Sequence, residues 1–193
     1  MTDIGDEDRD HVETVAQDAA ATKEAWTATL DDMEAMVAER ETDGWETIRF
    51  PAGDTAPENP AVRESDRFGL VFVVPKAVGD DPVAERLREA FDGGSFPESE
   101  VYRREMNGTV FLVVEYRDPD RRLAVFVAGQ YMLTDAHGMV KTAEKSGEFY
   151  VHFQRLDATP IGTVEHEDHH PFVPHADRID EWNAAARAHD DEG

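Results

Sequence analysis

The chain has 193 residues, with 43 acidic side chains against 19 basic ones and a formal net charge of −24. The length suits one domain with ragged ends and a single core. With no cysteine present, disulfides, thiolate metal sites and cysteine nucleophiles are excluded. An acid excess of this size argues against direct nucleic-acid binding or membrane-surface binding, because phosphates are held by concentrated Lys and Arg.

Self-repulsion at such a charge destabilises a compact state unless salt screens it. The Debye length falls to roughly 3 Å near 1 M salt. The acid is spread through almost every segment, only four of the basic residues are lysine, and the apolar fraction is an ordinary 40%. This combination predicts a halophilic protein rather than a disordered chain. The start, Met1-Thr-Asp-Ile-Gly-Asp-Glu-Asp, carries acid where a secretory signal needs positive charge. No apolar run approaches the roughly 18 residues of a membrane span, so a cytoplasmic location and no membrane contact are expected.

In chain order, residues 1–9 read as a disordered acidic tail and 10–166 as one domain. Val12, Val15, Ala19, Trp26, Leu30, Met33 and Val37 recur at helical steps, so they predict one long amphipathic helix ending at Asp43-Gly44. Its stripe either covers a sheet or pairs with a second copy or another protein; Trp26, Leu30, Met33 and Val37 are the interface candidates. Trp45–Phe50 alternates as a strand, 51–67 reads as a loop, and Phe68–Val74 reads as a strand covered on both faces. Asp81-Pro82 and Gly93-Gly94 bracket a short helix. Asn107-Gly108 joins Glu100–Met106 to Thr109–Tyr116 as a hairpin. A third antiparallel strand, Leu123–Ala128, follows the turn at Pro119. Thr134 is expected to cap a helix closed by Gly147, and Phe149–Leu156 to pair with Ile161–Val164. Residues 167–193 read as a tail rich in His and acid, with a weak helix around Ile179 and Trp182.

These elements describe an α+β domain: a mainly antiparallel sheet of five to seven strands, the long helix and two further helices. Over the first 145 residues the order is similar to the α-β-β-α-β-β-β-α signalling platforms of roadblock type, which dimerise and scaffold. The pieces Asp43-Gly-Trp45, Phe68-Gly-Leu-Val-Phe-Val-Val-Pro75, Val101-Tyr-Arg103, Ala128-Gly-Gln-Tyr131, His152-Phe-Gln-Arg-Leu-Asp157 and Gly162-Thr-Val-Glu-His166 carry a closer likeness. Over about residues 25–172 the chain resembles an uncharacterised family of haloarchaeal proteins. That resemblance implies a halophilic source and carries no activity.

Three groups could carry chemistry. His152, His166, Asp168, His169 and His170, with His175 further on, offer imidazole and carboxylate ligands suited to zinc or another divalent transition metal. No His-Glu-x-x-His motif accompanies them, and the bland alternative is a solvated tail. Arg103, Arg104, Arg117, Arg121 and Arg122 on the strand meander offer planar forks for an anion, or salt bridges to neighbouring acids. Tyr150, His152 and Gln154 share one strand face, with Tyr131 and His137 as neighbours in a third candidate site. Gly-x-Ser-x-Gly, Gly-x-Gly-x-x-Gly and phosphate-loop patterns are absent. The expectation is therefore a non-enzymatic module without a cofactor that binds a protein or small ligand, possible dimerisation included; the alternative is a small metal-dependent enzyme using the histidine cluster. Circular dichroism should show loosening below roughly a few tenths molar salt. An unchanged spectrum from dilute buffer to about 2 M KCl contradicts the halophilic reading.

Overall fold

The computed structural model describes residues 7–59 and 68–181, with side chains from residue 15 onward. Helix α1 (Glu7–Thr42) is followed by β1 (Glu46–Pro51), β2 (Asp54–Glu58), β3 (Gly69–Val73), α2 (Val83–Asp92) and the meander β4 (Glu98–Met106), β5 (Thr109–Asp118), β6 (Leu123–Met132). A 3-10 turn (Leu133–Ala136) then leads into α3 (His137–Ser146), β7 (Phe149–Gln154) and β8 (Pro160–His166). Within the expected tail 1–9, residues 7–9 are already helical, and 1–6 lie outside the described residues.

The fold is α+β, but its strands form two mixed sheets of four rather than one mainly antiparallel sheet, and the roadblock order is not found. One sheet runs β1-β6-β5-β4 and the other β2-β3-β7-β8. Each contains one parallel pair, β1 with β6 and β3 with β7. Strand β2 falls inside the expected loop 51–67, of which 60–67 lies outside the described residues. It is an edge strand, where Pro57 and its missing N–H are tolerated.

The local chemistry explains the elements. Asn107 and Gly108 both adopt positive φ, 52° and 73°, the twist that a two-residue hairpin requires. Gly147 closes α3 in the left-handed conformation, its N–H donating to Ala143 O. Neither Asp81 nor Thr134 makes a side-chain cap: Asp81 instead accepts from Arg86 Nη1 at 2.7 Å, and a 3-10 turn occupies the residues around Thr134.

The main core lies between the sheets. Phe153 on β7 sits at its centre, with its ring 5.8 Å from Phe72, 5.7 Å from Tyr116, 5.5 Å from Phe91 and 6.4 Å from Phe50. Val83, Ala84, Leu87 and Ala90 of α2, and Met139, Val140 and Ala143 of α3, add to the same core. Each large side chain so buried stabilises by about 1.5–3 kcal/mol. The core runs beyond the boundary expected at residue 166. Phe172, Val173, Ala176 and Ile179 belong to it, so residues 167–179 are a docked segment rather than a solvated tail. Ala176–Arg178 forms a 3-10 turn, and Trp182 lies outside the described residues.

Helix α1 covers the outer face of the first sheet. Met33 and Val37 are buried on Val113, Ala124, Phe126 and Ala128, with Trp26 and Leu30 packed alongside. The four interface candidates thus cover the protein's own sheet, while residues 15–20 are exposed. Buried beneath the end of α1, Glu115 is 1% exposed. It accepts from Arg40 Nε at 2.5 Å and from Arg117 Nη1 at 3.0 Å.

The chain passes from one sheet to the other at Ala52-Gly53. Ala52 N–H donates to Ala128 O on β6 and Gly53 N–H to Val73 O on β3, both at 2.8 Å. Next to this corner the sheets approach so closely that a Cβ on Gly129 would lie 2.5 Å from Thr55 Oγ1 and 2.6 Å from the Phe72 ring. Gly129→Val should therefore lower stability by about 1–3 kcal/mol or more. The check is a reduced denaturant midpoint at unchanged slope in high salt; no reduction would mean the corner has room to spare.

Candidate functional site

At the other edge of each sheet, β4 and β8 border a common cleft of about 650 Å³. Phe96, Ser99, Glu100 and Val101 form one wall, Val164, Glu165 and His166 the other, and Glu167, Asp168 and Phe172 of the docked segment complete it. No described strand pairs with the outer edge of β4 or of β8.

The docked segment is fixed from several sides. Tyr131 Oη donates to Phe172 O at 2.7 Å, and Arg103 Nη2 donates to His170 O at 3.3 Å. The Phe172 ring lies 5.0 Å from Phe149 and 4.7 Å from His166. His166 is the inward member of this group. Its register partner is Phe149, and its Nε2 accepts from the buried Tyr116 hydroxyl at 3.2 Å. Burial lowers its pKa from the ordinary 6.5 to about 4. Burial also holds the Tyr116 phenol well above its usual range.

Asp168, His169 and His170 bring ligand atoms within 4.8 Å of one another. Asp168 Oδ1 accepts from the His170 backbone N–H at 2.9 Å and from His170 Nδ1 at 2.5 Å. The same backbone hydrogen bond chiefly holds the Asp168 carboxyl below its usual pKa, and the bond to Asp168 chiefly raises that of His170. His169 is buried, which lowers its pKa, and its Nε2 has no hydrogen-bond partner among the described residues. His152 does not join this cluster. It alternates to the other face of β7 from Phe149, its Nε2 donating to Phe68 O at 2.9 Å and its Nδ1 accepting from Thr163 Oγ1 at 3.0 Å.

The five arginines are distributed rather than gathered. Arg104 pairs with Asp32; Arg117 with Glu98, Glu100 and Glu115; Arg121 with Asp118; and Arg122 donates to Asp43 O. Arg121 also lies over the Phe96 ring, 5.4 Å from its centroid. The third group is divided as well: Tyr150 donates to Glu148, His137 to Asp180, and Tyr131 to Phe172 O. Sequence reasoning singled out His166 and Asp168, within the run Glu165–His170, but missed Phe96, Glu100 and Phe172. Only the pairing of distant strands places these around one cleft.

The sequence profile of a family of unknown function, DUF7529, matches residues 12–174. The chain belongs to that family. DUF7529 membership covers both sheets and all of the cleft lining, and it brings no activity with it. No curated protein and no solved structure matches the chain. No described helix is long and apolar enough to cross a membrane.

The two neighbouring histidines act on stability in opposite directions. With His166 depressed to about 4 from 6.5, the unfolded chain binds more protons between these values, so its contribution is full above 6.5 and lost as pH falls through that window. His170, raised, contributes below the ordinary imidazole pKa and loses that contribution as pH rises through its folded pKa. Imidazole NMR should give a midpoint near 4 for His166 and one above 6.5 for His170. A His166 midpoint at 6.5 would mean that the ring is not buried against Phe172 and Tyr116.

Proposed function

We propose that this DUF7529 chain is a non-enzymatic binding module of a salt-rich cytoplasm, and that the cleft between β4 and β8 takes an organic cation. The observation that carries this reading is the cleft itself, about 650 Å³, whose lining combines the acidic Glu167 and Asp168 with the rings of Phe96, His166 and Phe172. Carboxylates around aromatic faces suit an ammonium or guanidinium group on an apolar body. Such a group can belong to a free amine or to the basic side chain of a partner protein.

Binding rather than catalysis is favoured by how the polar groups are used. His166 Nε2 is taken by Tyr116, and Ser99 has no histidine hydrogen-bonded to it among the described residues. A second reading, a divalent metal held at Asp168, His169 and His170, has its own support in the shared reach of their ligand atoms and in the buried, unpartnered His169 Nε2. Asp168 and His170 already satisfy one another, which makes it the weaker reading. Less than stoichiometric transition metal by elemental analysis of chelator-free protein removes it.

Calorimetric titration with spermidine and with a short Lys/Arg peptide, at the lowest salt that keeps the fold, tests the first reading. At least one should bind, and the double variant Glu167→Gln, Asp168→Asn should bind it several-fold more weakly. Spermidine alone identifies a free amine as the ligand, and the peptide alone a protein partner. Heat from neither overturns the organic-cation reading.

A further inference from the structure

Strand β4 is nine residues long and carries no described partner on its outer edge. A long bare edge is a template for another strand, and soluble proteins normally protect it. Among the described residues its protection is charge: Glu98, Glu100, Arg103, Arg104 and Glu105 stud the strand. Near its middle Tyr102, 44% exposed, is one of five large apolar side chains left in solvent among the described residues. We infer that this edge pairs with β4 of a second copy of the chain, antiparallel, about a two-fold axis through Tyr102.

The register follows from the faces of the strand. Tyr102 lies opposite Val113 and Glu100 opposite Glu115, which places both with Arg104 on the side covered by α1. Val101, Arg103 and Glu105 lie opposite core-facing Val114, Leu112 and Val110. A two-fold axis perpendicular to the sheet keeps each face on its own side, so the two residue numbers of any facing pair must add to an even number. Of the registers allowed, only the one centred on Tyr102 overlaps the whole of Glu98–Met106. That register sets each Glu100 against the other copy's Arg104, and stacks the two Tyr102 rings at the axis. Charges that discourage random pairing therefore favour self-pairing, since opposite charges facing across strands attract and like charges repel. The pairing joins the two outer sheets into one of eight strands, with both α1 helices on the same side. It also sets the second copy's Glu105 against Ser99, on the β4 wall of the cleft.

Sedimentation equilibrium in about 2 M KCl tests the inference. The natural chain should be a dimer. The variants E100R and R104E should each weaken it about tenfold or more, because each replaces two facing opposite-charge pairs by two like-charge pairs. An equimolar mixture of the two variants should recover the affinity, since every facing pair across that heterodimer is again opposite in sign. Circular dichroism in the same buffer confirms that both variants are folded. A monomer at about 100 µM, a dimer unmoved by either variant, or variants that do not rescue each other overturns the inference.

Discussion

The corner at Ala52-Gly53 is the constraint from which the rest of the structure follows. A single extended segment hydrogen-bonds to β6 on one sheet and to β3 on the other, 2.8 Å on each side. This is possible only because Gly129 presents no side chain where Thr55 and Phe72 press in. With the sheets tied at β1 and β2, their free edges are β4 and β8. The chain fills much of the space between them with the segment that carries Phe172, Val173, Ala176 and Ile179, and what remains is the cleft. Neither the site nor the bare edge of β4 is an addition to the fold; both are left over from how it closes.

Positive charge in this chain is used for internal construction. Of the 19 basic residues only four are lysine, so 15 are arginine. Arg40 and Arg117 meet at the buried carboxylate of Glu115, fastening the end of α1 to β5. With two guanidinium groups on one buried carboxylate, loss of either arginine leaves Glu115 paired with the other. Arg121 binds Asp118 and Ala90 O while lying over Phe96. A guanidinium can do all of this at once, being planar and weakly hydrated with five donors; an ammonium cannot. The same use of arginine explains why the meander presents no shared anion site.

Local chemistry was legible in the sequence, and long-range pairing was not. Asn107-Gly108 specified its hairpin, Gly147 its helix end, and Phe68–Val74 a strand buried on both faces, because each depends on residues within a few positions. Strand β2 was hidden by Gly53 and Pro57, which disfavour a strand everywhere except at an edge. The division into two sheets was hidden because parallel partners β1 and β6 are separated by the whole of residues 52–122, in which β2, β3, α2, β4 and β5 intervene. The docked segment was obscured by its neighbours: Phe172, Val173, Ala176 and Ile179 have helical spacing in part, but lie within a run of histidine and acid that reads as solvated. The histidine cluster was half legible. His166, Asp168, His169 and His170 adjoin the cleft or line it, while the alternation of β7 sends His152 to the other face.

On the halophilic reading, salt also limits what kind of recognition these surfaces can use. At a Debye length of roughly 3 Å a charge acts only on what it touches, so the net charge of −24 steers little from a distance. Attraction must come from groups in contact and partly shielded from water, such as a cation lodged among Glu167, Asp168 and the Phe172 ring, or Glu100 set directly against an arginine. Strand addition is well suited to these conditions, since backbone hydrogen bonds carry the affinity and no net charge is involved. The facing side chains then select the partner and fix the register. An edge that relied on general repulsion for protection would lose it in molar salt. One whose charges alternate in a self-complementary register keeps its selectivity, because every decisive contact lies within reach of a direct ion pair.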